Sequence, residues 1–183
     1  MKVKEVLYLA ATELGILDEV KNFLENGDTA GKEKAEELLA AFQVIENELA
    51  VDYFPLRTEE TVVTTNGKLS YSDLKKRVSR VLYVASEAGD RIDFKLFVDH
   101  LTTVKGKVVV GYTFIPQEKS FQGESDFCLQ ISARLMAYGI IAACMLKAGR
   151  FDEWKIWDKK YKNAIIAAYQ APKSECWQAR RWE

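Results

Sequence analysis

The chain has 183 residues, 48% hydrophobic and 29% charged, with three prolines, which suits one folded domain or a domain with an inserted subdomain and excludes a disordered chain. Its 26 Lys and Arg against 27 Asp and Glu leave a net charge of −1, which removes any global electrostatic pull toward nucleic acid or an anionic membrane. No apolar run is long enough for a membrane span, and Met1-Lys2-Val3-Lys4-Glu5 lacks the apolar core of a signal peptide.

Residues 3–14 place Val3, Leu7, Ala10 and Leu14 at helical steps, and Gly15 interrupts them. Asp18 is placed to cap a second short helix carrying Val20, Phe23 and Leu24, which Asn26-Gly27-Asp28 closes. From Lys32 onward, Ala35, Leu38, Phe42, Ile45 and Leu49 form an apolar stripe. Lys32, Glu33, Glu37, Glu46 and Asn47 are assigned to the opposite, polar face. Phe54-Pro55 stops this helix, because the residue before proline is pushed out of the helical region.

Beyond Pro55 the period changes from helical to alternating. Thr58–Thr65 reads as a strand, Asn66-Gly67 as a turn with positive φ, and Tyr71-Ser72-Asp73-Leu74 as a helical turn. Val78–Val84 is the next strand, and Ala88-Gly89-Asp90 the next turn. Ile92, Phe94 and Leu96 alternate with Asp93 and Lys95, and after Lys105-Gly106 a β-branched and aromatic run extends to Ile115. The expectation is a small antiparallel sheet of four strands. About sixty residues make a poor independent core, so the sheet is expected to pack on the helices, with Val81, Tyr83, Phe94 and Leu96 facing inward.

Helix then returns. Cys128, Ile131, Leu135, Tyr138, Ala142 and Met145 keep three-four spacing, with Ser125 or Asp126 as cap and Ala148-Gly149 as stop. Phe151, Trp154, Asp158, Tyr161, Ile165 and Ala168 mark a further helix that Ala171-Pro172 ends. The short link between the two predicts an antiparallel hairpin, against which the 32–53 helix can pack. The predicted fold is therefore α+β, mainly α: a helical bundle with an inserted small antiparallel β-sheet and an extended C-terminal arm. Its parts are N-terminal helices (1–56), the β insertion (57–116), a helix hairpin (117–171) and the arm (172–183).

Sequence features that imitate catalytic sites are weak. Gly27-Asp28-Thr29-Ala30-Gly31-Lys32 is one residue short of a phosphate loop, with Glu33 where a hydroxyl should bind metal, so a loop leading into the next helix is expected. His100 is the only histidine, which excludes a His-pair metal site, and Asp99 beside it on a strand would point the other way. Cys128, Cys144 and Cys176 form no Cys-x-x-Cys, so cytosolic free thiols are expected, with Cys128 in the core and Cys144 off the stripe. Glu59 and Glu60 should face opposite sides of a strand, and Asp152-Glu153 lie where acidic residues favour a helix dipole. No catalytic residue, metal or cofactor is expected.

The C-terminus is different. Trp177, Arg180, Arg181 and Trp182 crowd residue types enriched at interface hot spots, and they are candidate partner-binding residues. The competing reading folds Trp177 back onto its own bundle. Residues 147–183 hold nine Lys or Arg and five Asp or Glu, giving +4 against −5 for the remainder, a polarity that suits head-to-tail association.

Several segments carry a resemblance. Glu48-Leu-Ala-Val-Asp-Tyr-Phe-Pro-Leu56 leaves the long helix, and Val110-Gly-Tyr-Thr-Phe-Ile-Pro116 ends the insertion. Ile131-Ser-Ala-Arg-Leu-Met-Ala-Tyr-Gly139 and Trp157-Asp-Lys-Lys-Tyr161 follow on the last two helices. In this order the chain resembles the head–tail connector and tail-adaptor proteins of tailed bacteriophages, over about residues 32–171 as an arrangement of segments. The resemblance implies a virion structural protein without catalysis, present in the host cytoplasm during assembly. It implies a ring of identical subunits, twelve-fold in that family, bound to the portal protein and to tail proteins. Such a ring surrounds the DNA channel without specific nucleic-acid binding. The alternatives are a cellular helical-bundle interaction module and a small enzyme with an aromatic pocket.

Overall fold

Among the described residues, 1–127 and 131–170 of this computed structural model, five α-helices and seven strands form an α+β fold. Cys128, Cys176 and the candidate arm residues Trp177, Arg180, Arg181 and Trp182 lie outside them.

Helix α1 (Val3–Leu14) ends at Gly15, whose φ of 71° supplies the left-handed cap. Helix α2 (Leu17–Asn26) begins one residue ahead of Asp18, so Ile16 holds the cap position and the predicted Asp18 cap is not formed. Helix α3 (Lys32–Glu48) runs into a wider π-helical turn, Leu49–Tyr53, before Pro55. Ala35, Leu38, Phe42, Ile45 and Leu49 are buried as their spacing predicts. Glu46 breaks the pattern: it belongs to the assigned polar face yet is completely buried.

Helix α4 (Ala133–Lys147) starts later than predicted. Ser132, not Ser125 or Asp126, is its cap, its hydroxyl accepting from the Leu135 amide at 3.2 Å. This helix packs against α1, α3 and also α5 (Phe151–Gln170). Three neighbours explain why its burial spreads from the expected stripe to Met136, Ala137, Ile140 and Ile141. Gly139 sits where two of them press: a Cβ there would lie 2.8 Å from Ile45 Cγ2 and 3.0 Å from Tyr161 Cε2. The α4–α5 hairpin and its packing on α3 agree with the sequence expectation.

The insertion contains β1 (Arg57–Thr64), β2 (Lys68–Ser70), β3 (Arg77–Ala85), β4 (Arg91–Ile92), β5 (Lys95–Leu96), β6 (His100–Thr102) and β7 (Gly106–Ile115). They form two antiparallel sheets, ordered β1-β7-β3-β4 and β2-β6-β5, rather than the single sheet expected. The chain changes sheets at Asp93-Phe94, because β4 pairs with β3 and β5 with β6. Phe94 still packs, partly buried, on the core between the sheets, whereas Leu96 is exposed, against the inward face predicted for it. Register shifts in β3 carry Val81 and Val84 inward together. Tyr83 meanwhile lies beside Gly111, where a Cβ would come within 2.4 Å of its ring.

The two sheets cover each other. Leu69, Leu74 and Leu101 from one side meet Val81, Val84, Val108, Val110, Tyr112 and Phe114 from the other, in a core separate from the helical one. Among the described residues, Leu56 alone packs against both cores. The expectation that the sheet lies on the bundle fails for a physical reason: a second sheet already supplies the apolar cover it needs.

Candidate functional site

The residues whose types could supply chemistry lie in several separate places. Gly27 (φ 74°) caps α2, and the Asp28 carboxylate accepts from the Ala30 amide at 3.1 Å in a short turn. Gly31 is then required by contact, since a Cβ would lie 2.0 Å from the Glu19 carbonyl oxygen. The segment is a tight helix–helix connector, as the sequence reading had it.

Asp99 and His100 do meet, contrary to the expectation that they diverge. Asp99 lies just outside β6, so strand alternation does not apply, and its carboxylate is 2.6 Å from His100 Nδ1. That hydrogen bond holds the Asp99 carboxyl below its ordinary range. Ser70, opposite His100 in the β2–β6 register, shares a 2.8 Å hydrogen bond between its hydroxyl and that of Ser72. Cys144 is half-buried on α4, and its thiol is pushed up to about 11 by burial and then by Glu37, which opposes thiolate chemistry.

Glu59 and Glu60 face opposite sides, as alternation requires. Glu59 accepts from the Tyr83 hydroxyl and Glu60 from the buried Tyr112 hydroxyl. Burial and that partner push the Tyr112 phenol up to about 12. Asp152 and Glu153 form surface ion pairs with Lys155 and Arg150 in the first turn of α5.

Two features escaped the sequence reading. The first is the junction where the chain leaves the insertion. Gln43 and Glu46, one turn apart on α3, clasp the returning segment 117–127. Gln43 accepts from the Lys119 amide at 2.9 Å, and Glu46 Oε1 accepts from the Ser125 hydroxyl at 2.6 Å and the Asp126 amide at 3.0 Å. Burial raises the Glu46 pKa, only partly opposed by Ser125 and Lys119. Lys119 and Lys76 flank Asp126 at 2.6 and 3.2 Å; desolvation works against its charge, but these hydrogen bonds outweigh it and hold its carboxyl low. The chain start joins the same junction through the Ser125 amide and the Met1 carbonyl, 2.9 Å apart.

The second is an apolar tip on the smaller sheet. Leu96 and Phe97 are 54% and 49% exposed, and Val98 is fully exposed. The backbone that presents them is tied down. The Phe97 amide donates to the His100 carbonyl at 2.9 Å, and the Tyr71 hydroxyl and amide donate to the Phe97 and Asp99 carbonyls at 3.0 and 3.1 Å. The Phe97 ring stacks on His100 at 4.6 Å. The tip is thus a short exposed apolar run whose backbone is held in one geometry. Only the run Leu96-Phe97-Val98 itself signalled this, and strand periodicity masked it by sending Leu96 inward.

Compared with known proteins, the chain matches no family model and no curated protein. No described helix is long and apolar enough to cross a membrane.

Proposed function

We propose that this protein is a structural adaptor of the tailed-bacteriophage virion, a ring of identical copies that joins portal to tail and performs no catalysis. The observation that carries this reading is the preorganised apolar tip at Leu96-Phe97-Val98, displayed on a subdomain with its own core. A ring subunit needs surfaces of this kind on parts that project from its body. The order of long helix, β insertion and helix hairpin supports the same reading, as does the +4 and −5 division of charge.

In this role the arm residues Trp177, Arg180, Arg181 and Trp182 engage a neighbouring copy or the portal. Trp rings fill pockets there, and the Arg pair meets carboxylates or carbonyls. The protein is expected to be monomeric when free and to close into a ring on a template, with no metal or cofactor involved.

Negative-stain microscopy of the protein mixed with tailless, DNA-filled heads tests the proposal. The expected result is added density in a ring at the portal vertex, lost on truncation after Ala171. Heads that remain bare while the protein forms a stable two-fold dimer would overturn it, and would favour the cellular interaction module. Portal and major capsid genes beside this one would support the virion role.

A further inference from the structure

We infer that the tip of one copy seats in a groove between α1 and α4 of the next, an inference that rests on the ring reading above. Leu9, Glu13, Arg134, Ala137, Tyr138 and Ile141 line this groove, which encloses about 260 Å³. Leu9 at its edge is 43% exposed and Tyr138 partly so, while Ala137 and Ile141 beneath them are buried, so an incoming side chain meets Leu9 and Tyr138 between the polar Glu13 and Arg134.

Charge selects the occupant. Lys95 and Asp99 bracket the tip, while Glu13 and Arg134 stand at the groove, so one docking direction pairs Lys95 with Glu13 and Asp99 with Arg134. Glu13, Lys95 and Arg134 enter none of the ion pairs among the described residues. The Asp99 side chain, although bonded to His100, is 79% exposed. The tip lies on the β insertion and the groove on the helical body, whose cores share Leu56 alone among the described residues. A patch that fits a pocket elsewhere on the same molecule makes a heterologous contact, the kind that propagates from copy to copy and closes as a ring. A three-residue tip covers well under the ~800 Å² per partner of a stable pair, so the contact holds where copies are already side by side. Template-dependent assembly is the consequence.

The test joins Leu9→Cys and Val98→Cys in one chain and oxidises the concentrated protein and, separately, protein bound to heads. The expected result is a reducible ladder of dimers, trimers and higher species that neither single variant gives. Lys95→Glu and Glu13→Lys should each lower occupancy on heads at least tenfold, and their combination should restore it, with unchanged melting temperature throughout. A cross-link confined to the monomer would overturn the inference, as would a ladder that appears only after deletion of residues 172–183, which would mean that the arm fills the groove. Wild-type occupancy by Val98→Asp would overturn it while leaving the ring reading intact. A ladder in concentrated protein that never binds heads would support the contact and sink the virion role.

Discussion

Ser125 donates its hydroxyl to Glu46 Oε1 at 2.6 Å across 79 positions of sequence, and this bond fastens the segment returning from the β insertion onto α3. The second carboxylate oxygen of Glu46 is buried with no partner among the described residues, so the carboxyl is strained toward its neutral form.

Stability should therefore carry a pH signature from this one group. A carboxyl whose folded pKa is raised binds its proton more tightly when folded, so its ionisation erodes stability as pH climbs from the ordinary Glu value through the raised one. Glu46→Gln keeps an acceptor for Ser125 and removes the ionisation. Its stability relative to the native chain is expected to improve steadily over that rising window, measured by urea unfolding from pH 4 to pH 8. Glu46→Ala strands both donors and should cost about 2–4 kcal/mol at neutral pH.

The two cores give contrasting Phe variants. Phe42 is fully buried among the helices, and Phe42→Ala should cost about 3–5 kcal/mol. Phe94, partly buried where the chain changes sheets, should lose less than Phe42, about 1–3 kcal/mol on truncation, since part of its ring already meets solvent. Leu96→Ala at the exposed tip should lie within ~0.5 kcal/mol of the native chain. Equilibrium denaturation of the three variants checks the ranking.

Glycine substitutions separate rigid from yielding contacts. At Gly31 an added Cβ meets backbone oxygen, which cannot rotate away, so Gly31→Ala should cost about 2–3 kcal/mol, at the high end of overpacking. At Gly139 the neighbours are the side chains of Ile45 and Tyr161, and alanine gains up to ~1 kcal/mol of helix propensity. Gly139→Ala is expected to cost less than Gly31→Ala in thermal melts at the same pH.

With its thiol held near 11, Cys144 should resist alkylation in the folded protein at pH 8. Iodoacetamide followed by peptide mass spectrometry should find its peptide unmodified natively and fully labelled in denaturant.

The helices were legible because their stripes are one-sided, as with Ala35 through Leu49. Glu46 was not, since a buried carboxylate is indistinguishable in pattern from a solvated one until its partner, far along the chain, is known. Tyr83 and Leu96 misled for a different reason: alternation assumes an unbroken strand, and here bulges and a change of sheet reset the phase. The decoy loop at Gly27–Lys32 was readable from spacing alone. The exposure of Leu96-Phe97-Val98 needed three dimensions, because it follows from the change of sheet and not from the local pattern.

At the neck of the insertion, the Phe114 amide donates to the Leu56 carbonyl at 3.0 Å, so the chain departs and comes back through nearly the same point. A segment with adjoining ends can be lengthened, shortened or exchanged without shifting the helices it interrupts. Insertions of different size can thereby be carried at this neck while the helical body keeps its own packing.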